Sequence, residues 1–178
     1  MQVEAFRSII NPDDKAFANP SSMIEAIQTY CRETGQAVPE TPAEICRCIF
    51  DSLALRYKQV FVWLKEFKNE ELRMKNEEFP IGQEKAGINV LHVIGGGSLN
   101  KYLTQFTADA CGVEVLAGPQ ECTAIGNIML QAKAMGLVKD IWEMRAIIAN
   151  SVDMVAYHPS GDKAAWDAAY QRYLEITK

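Results

Sequence analysis

The chain has 178 residues, 48% of them hydrophobic and 23% charged. That length and composition favour one ordinary globular domain and argue against a disordered tail. A net charge of −5 without a basic stripe argues against nucleic-acid binding, and no apolar run nears the ~20 residues of a membrane span. The opening MQVEAFRSIINPDD has no apolar signal-peptide core, so a cytoplasmic location is the expectation.

The first helix is predicted from Ser22, where Ser22 and Glu25 can form a capping box. Met23, Ile27, Tyr30 and Cys31 follow at helical spacing, and Gly35 is a natural stop. A second helix starts at Thr41, Pro42 and Glu44. Ile45, Ile49, Leu53, Val60 and Leu64 form its apolar stripe, with Cys46, Phe50, Tyr57 and Phe61 beside it. This helix reads as core without chemistry. The charged stretch that follows, about residues 67–85, reads as a solvated loop or insertion whose first half can extend the helix, punctuated by Pro80 and Gly82.

INVLHVI, residues 88–94, is short, apolar and β-branched, and reads as a buried strand. A helix over Asn100–Ala110 should turn Leu103, Phe106 and Thr107 inward and stop at Gly112; a second strand covers about residues 113–117. In the next helix Ile125, Ile128, Met129, Ala132 and Met135 share a face, and Gly126 suggests a closely approaching backbone. Asp140 can cap a helix through Ile148, Val152–Tyr157 reads as extended, and Pro159 and Gly161 mark a turn. A terminal helix carries Trp166, Ala169, Tyr170, Tyr173 and Leu174. Helices alternating with short strands predict an α/β layer.

Five cysteines at scattered spacings form no disulfide framework and read as buried, reduced thiols; His92 and His158 have no ligand-spaced partner, so no metal site is predicted. The chemistry lies in LHVIGGGSLN, residues 91–100. A strand enters three glycines and a helix opens after them. Glycine lets backbone approach a ligand, and a helix start presents free N–H groups to phosphate or ribose. The P-loop is excluded because Ser98 follows Gly97 with no Lys. A dinucleotide fingerprint is disfavoured because Asn100 stands where its third glycine belongs. In AGPQECTAIGN, residues 117–127, Glu121 falls in a first helical turn, where it can complement the dipole or touch a ligand.

These units together resemble a known family. GGGSLN, then TADACG, then GPQECTAIGN are similar to the C-terminal domain of the FGGY carbohydrate kinases, and FRSIINPDDKAFANP, EAIQTYCRETGQ and CRCIFDSLALRY extend the likeness upstream. The resemblance implies a partial actin-like, ribonuclease-H-like ATPase domain, with a short, mostly parallel sheet and packed helices. It implies that the glycine turn contacts the nucleotide. Gly96 and Gly97 carry that role, Gly97 first, with Ser98 and Asn100 on the same turn, while the Glu121–Asn127 helix start packs beside the site. The implied cofactors are ATP and Mg²⁺ in the parent enzyme, and the implied reaction is phosphorylation of a ketose such as L-rhamnulose.

Family members are much longer than this chain. Their catalytic aspartate and most of their sugar site lie upstream. None of Asp13, Asp14, Asp51, Asp109, Asp140, Asp153, Asp162 and Asp167 stands in the family's catalytic context, so no catalytic residue is assigned here. Alone, the chain is expected to be inactive and to meet sugar only together with the N-terminal part. The rival reading is a non-catalytic binding or assembly module derived from a kinase lobe. In the actin-like fold the strand before the glycines neighbours the domain's first strand, which is absent. Residues 88–94 should then have an open edge, covered by a second copy in a homodimer or by Phe6–Ile10.

Overall fold

The computed structural model describes residues 3–74 and 87–178. Its elements in chain order are α1 (Met23–Glu33), α2 (Pro42–Met74), β1 (Val90–Val93), α3 (Lys101–Cys111), β2 (Glu114–Ala117), α4 (Cys122–Ala134), α5 (Ile141–Ser151), β3 (Val155–Tyr157) and α6 (Lys163–Ile176). The helix starts follow local chemistry. Ser22 Oγ accepts from Glu25 N at 3.3 Å. Glu44 Oε2 accepts from Thr41 N at 2.9 Å while Thr41 Oγ1 accepts from Glu44 N at 3.3 Å, a complete capping box. Asp140 and Asp162 cap α5 and α6 through their carboxylates. α2 runs on through Met74 and takes in the first residues of the charged stretch; residues 75–86 of that stretch lie outside the described residues.

The sheet order is β1-β2-β3. β1 and β2 run parallel, Val90 opposite Glu114 through Val93 opposite Ala117, whereas β3 joins β2 antiparallel. α3 packs on the sheet, α2 packs along α3, and α6 closes on both. The main core joins Ile9, Leu55, Ala110, Trp166, Tyr170 and Tyr173. A second cluster ties Ile10 to Ile27, Cys31, Ile45 and Cys48. A third, small cluster of Met129, Val138 and Met144 holds α4 to α5.

The N-terminal segment is locked into the helical body. Asp51, with no exposed surface, accepts from Phe6 N at 2.8 Å and from Arg47 Nε at 2.9 Å. Burial pushes its carboxyl above the usual carboxylate range, against the pull of the Phe6 amide and Arg47. Phe6 itself takes φ 57, a left-handed conformation costly for a non-glycine residue. Three anchors hold it there. Its amide meets Asp51, its carbonyl accepts from Arg172, and its ring meets Trp166 edge-on at 4.6 Å.

Several expectations change. Phe6–Ile10 packs on α2 and α6 and so does not cover β1, whose outer edge has no partner strand among the described residues. β1 has the open edge expected of it, but it is not a buried strand; His92 is exposed and Ile94 is 55% exposed. The apolar stripe of α2 is buried only in its first half: at the next turns Val60 and Leu64 are exposed, and it is Phe61, 3% exposed, and Val62 that face inward. Ile128 and Met135 of α4 are exposed too, leaving Ile125, Met129 and Ala132 as the packed face. A Cβ at Gly126 meets nothing within 4 Å, so no backbone approaches there. Cys46 is exposed and Cys111 and Cys122 half-buried, so only Cys31 and Cys48 are buried thiols.

Candidate functional site

Because β1 and β2 are parallel, their carboxyl ends emerge side by side, which is where open α/β sheets bind ligands. Each end enters a glycine turn: Gly95–Asn100 after β1, and Gly118–Glu121 after β2. The turns clasp one another through backbone alone. Gly118 N donates to Val93 O at 2.8 Å, and Gly95 N donates to Pro119 O at 2.9 Å.

The three glycines of the first turn serve different needs. Gly95 sits at φ 76, ψ −165, a region that only glycine enters freely. Gly96 and Gly97 open a 3-10 helix over Gly96–Leu99 without positive φ, and a Cβ on either meets no atom within 4 Å. The fold therefore demands glycine at 95 but not at 96 or 97. Ser98 is buried, and its N and Oγ both donate to Gly95 O, at 3.0 and 2.7 Å. Asn100 caps α3, its Oδ1 accepting from Leu103 N at 3.1 Å. The four residues singled out in the sequence thus share one turn, two presenting open backbone and two holding the turn's shape.

Two clefts flank the clasp, sharing Gly118, Pro119 and Ile125 in their walls. One, of about 380 Å³, is the more polar of the two, its mixed walls carrying Ser98, Lys101, Glu121, Asp153 and Tyr157. The other, of about 690 Å³, is largely apolar, with Ile94, Cys122, Ile148 and Met154 beside His92 and Arg145. Glu121 stands at the N-cap of α4 but makes no capping bond; the residue is part of the wall of the more polar cleft. Arg145 was not singled out in the sequence, and Asp153 only as an aspartate outside the family's catalytic context. The GPQECTAIGN segment had already marked the second turn as a neighbour of the site.

Most of the other aspartates have structural work. Asp51 is buried against Arg47, Asp109 accepts from Ser160 N and Gly161 N at 2.8 and 3.0 Å, and Asp167 pairs with Lys58 and Lys163. Among the described residues there is no group of three or more His, Cys, Asp or Glu suited to a metal ion. None of the described helices is long and apolar enough to cross a membrane.

Comparison with known proteins agrees with the turn motifs. Residues 1–135 match the model of the FGGY family of carbohydrate kinases, C-terminal domain. The chain is 53% identical over 175 residues to a rhamnulokinase of Bacteroides thetaiotaomicron, covering 98% of this chain and 33% of that protein. A rhamnulokinase of Pectobacterium carotovorum is 43% identical over 158 residues, covering 89% of this chain and 29% of that protein. One of Mannheimia succiniciproducens is 41% identical over 146 residues, covering 82% and 27%. The chain therefore spans about a third or less of the length of the curated relatives it matches. The α/β arrangement is that of a ribonuclease-H-like ATPase domain, and the chain belongs to the FGGY family of carbohydrate kinases, as part of its C-terminal domain.

Proposed function

We propose that this chain is the nucleotide-binding portion of an ATP-dependent sugar kinase, acting in the cytoplasm on a ketose such as L-rhamnulose. One observation carries the reading. At the joint carboxyl ends of two parallel strands, Gly96 and Gly97 are glycines that the fold does not require. Bare backbone there leaves room for a ligand that a side chain would displace. Gly96 and Gly97 take the nucleotide, while Ser98 and Asn100 hold the turn that presents them. The apolar cleft suits a planar base, and the polar cleft suits ribose hydroxyls.

Phosphoryl transfer depends on positioning and charge stabilisation more than on covalent chemistry by the protein. The open backbone at Gly96 and Gly97 supports a nucleotide there, and the described residues supply no cluster for a protein-held Mg²⁺. In this reading the chain orients ATP, and the metal and the sugar are handled with residues beyond it. The isolated chain is accordingly expected not to phosphorylate L-rhamnulose. Turnover at ordinary enzyme rates in a coupled assay contradicts that expectation.

Calorimetric titration with Mg-ADP tests the nucleotide reading. The wild-type chain should bind weakly. Gly97→Val should abolish the heat while leaving the melting temperature nearly unchanged, because its side chain enters open space. Equal binding by both proteins means that the site lies elsewhere.

A further inference from the structure

The clasp between the two turns depends on a contact that neither turn makes alone. Gly118 has φ +119, and a Cβ built there stands 3.2 Å from Asp153 O and 3.8 Å from Met154 Cα. The backbone leading into β3 therefore lies directly on the second turn. Any side chain at 118 must displace either that backbone or the turn. The second turn in its own right receives Gly95 N and donates from Gly118 N to Val93 O. Displacing it pulls on both bonds that fix the start of the first turn.

Gly112 provides the contrast. It also has positive φ, +67, but it lies at the opposite end of β2, and a Cβ there meets nothing within 4 Å. A methyl group at 112 costs backbone strain only. A methyl group at 118 costs strain and also breaks the seating of the Asp153–Met154 backbone.

We propose that Gly118 is the positioning residue of the nucleotide turn: its bare Cα seats the segment entering β3, and the clasp transmits that placement to Gly95 and so to Gly96 and Gly97. This rests on the nucleotide reading given above. Gly118 also stands in the walls of both clefts, so a shift there reshapes the two together. The antiparallel strand β3 thereby acquires a role in presenting the site, although its own side chains are mostly exposed.

The test uses the full ¹⁵N-labelled chain with Gly118→Ala and Gly112→Ala, read by amide exchange and by titration with Mg-ADP. Gly118→Ala should speed exchange at the Gly95 amide and weaken ADP binding, each by about tenfold, as expected for loosening one such hydrogen bond. Gly112→Ala should leave both readouts within about twofold of wild type, with a smaller loss of melting temperature than Gly118→Ala. Equal effects of the two variants on Gly95 and on ADP make Gly118 an ordinary structural glycine and overturn the proposal. Should Gly118→Ala fail to fold, the wild type decides. Saturating Mg-ADP must shift the Met154 amide together with those of Gly95–Gly97, and a response confined to the first turn overturns the proposal. Absence of any ADP response in the wild type sinks the nucleotide reading instead, and Gly95 exchange in the variants still decides whether Gly118 positions the turn.

Discussion

The helical body and the turn end of the sheet solve opposite problems. In the body, a buried charge is met by other groups of the same chain. Asp51 binds Phe6 N and Arg47, and the Arg47 guanidinium lies 4.6 Å from the centre of the Phe106 ring. At the sheet end the chain holds itself by backbone and keeps side chains away, leaving Gly96 and Gly97 facing open space. Side chains closed on one another hold the fold together, whereas bare backbone on a rigid frame leaves a place for something else. Substitutions in the first region should therefore cost stability, and substitutions in the second should cost binding.

The largest effect is expected at Asp51. Asp51→Ala strands Arg47 in a nearly buried position, releases the Phe6 amide, and removes one of the anchors holding Phe6 at positive φ. Breaking a buried pair on one side costs about 3 kcal/mol. Urea unfolding should show a loss of that size, and a loss below about 1 kcal/mol would mean that water replaces the carboxylate at little cost.

A smaller effect is expected at Asn100, where the two regions meet. Asn100→Ala removes the N-cap of α3 and should cost about 1 kcal/mol by the same measurement. It should also weaken ADP binding less than Gly97→Val does, since Asn100 shapes the turn and Gly97 faces the ligand. The reverse ranking would make the Asn100 side chain itself the main contact.

Much of the molecule was legible because its cause was local. Ser22, Thr41 with Glu44, and Asp140 each cap within three residues, so these helix starts could be read directly; Asp162 caps α6 in the same way but was not read as a cap. The glycine turn was legible for the same reason. The misreadings share a different cause, that the deciding partner is distant in sequence. Phe6 meets Asp51 across 45 positions, and nothing near Phe6 announces it. Gly118 is held to glycine by its φ of +119 and by the Asp153 carbonyl, 35 positions along the chain, 3.2 Å from where a Cβ would stand. The period of α2 marks one face along its whole length, but it cannot say that the packed side passes from that stripe to Phe61 and Val62, leaving Val60 and Leu64 exposed. β3 is three residues long with two of them exposed, too little pattern to reveal that it pairs, or in which direction.

Where the nucleotide lies is tested most directly by photolabelling the full chain with 8-azido-ATP and mapping the modified peptides. The result expected is label within residues 92–101 or 117–126, the two clasped turns and the cleft walls beside them, competed away by ATP and absent from Gly97→Val. Competable label on α1, α6 or the Phe6–Ile10 segment, with none on either turn, would contradict it.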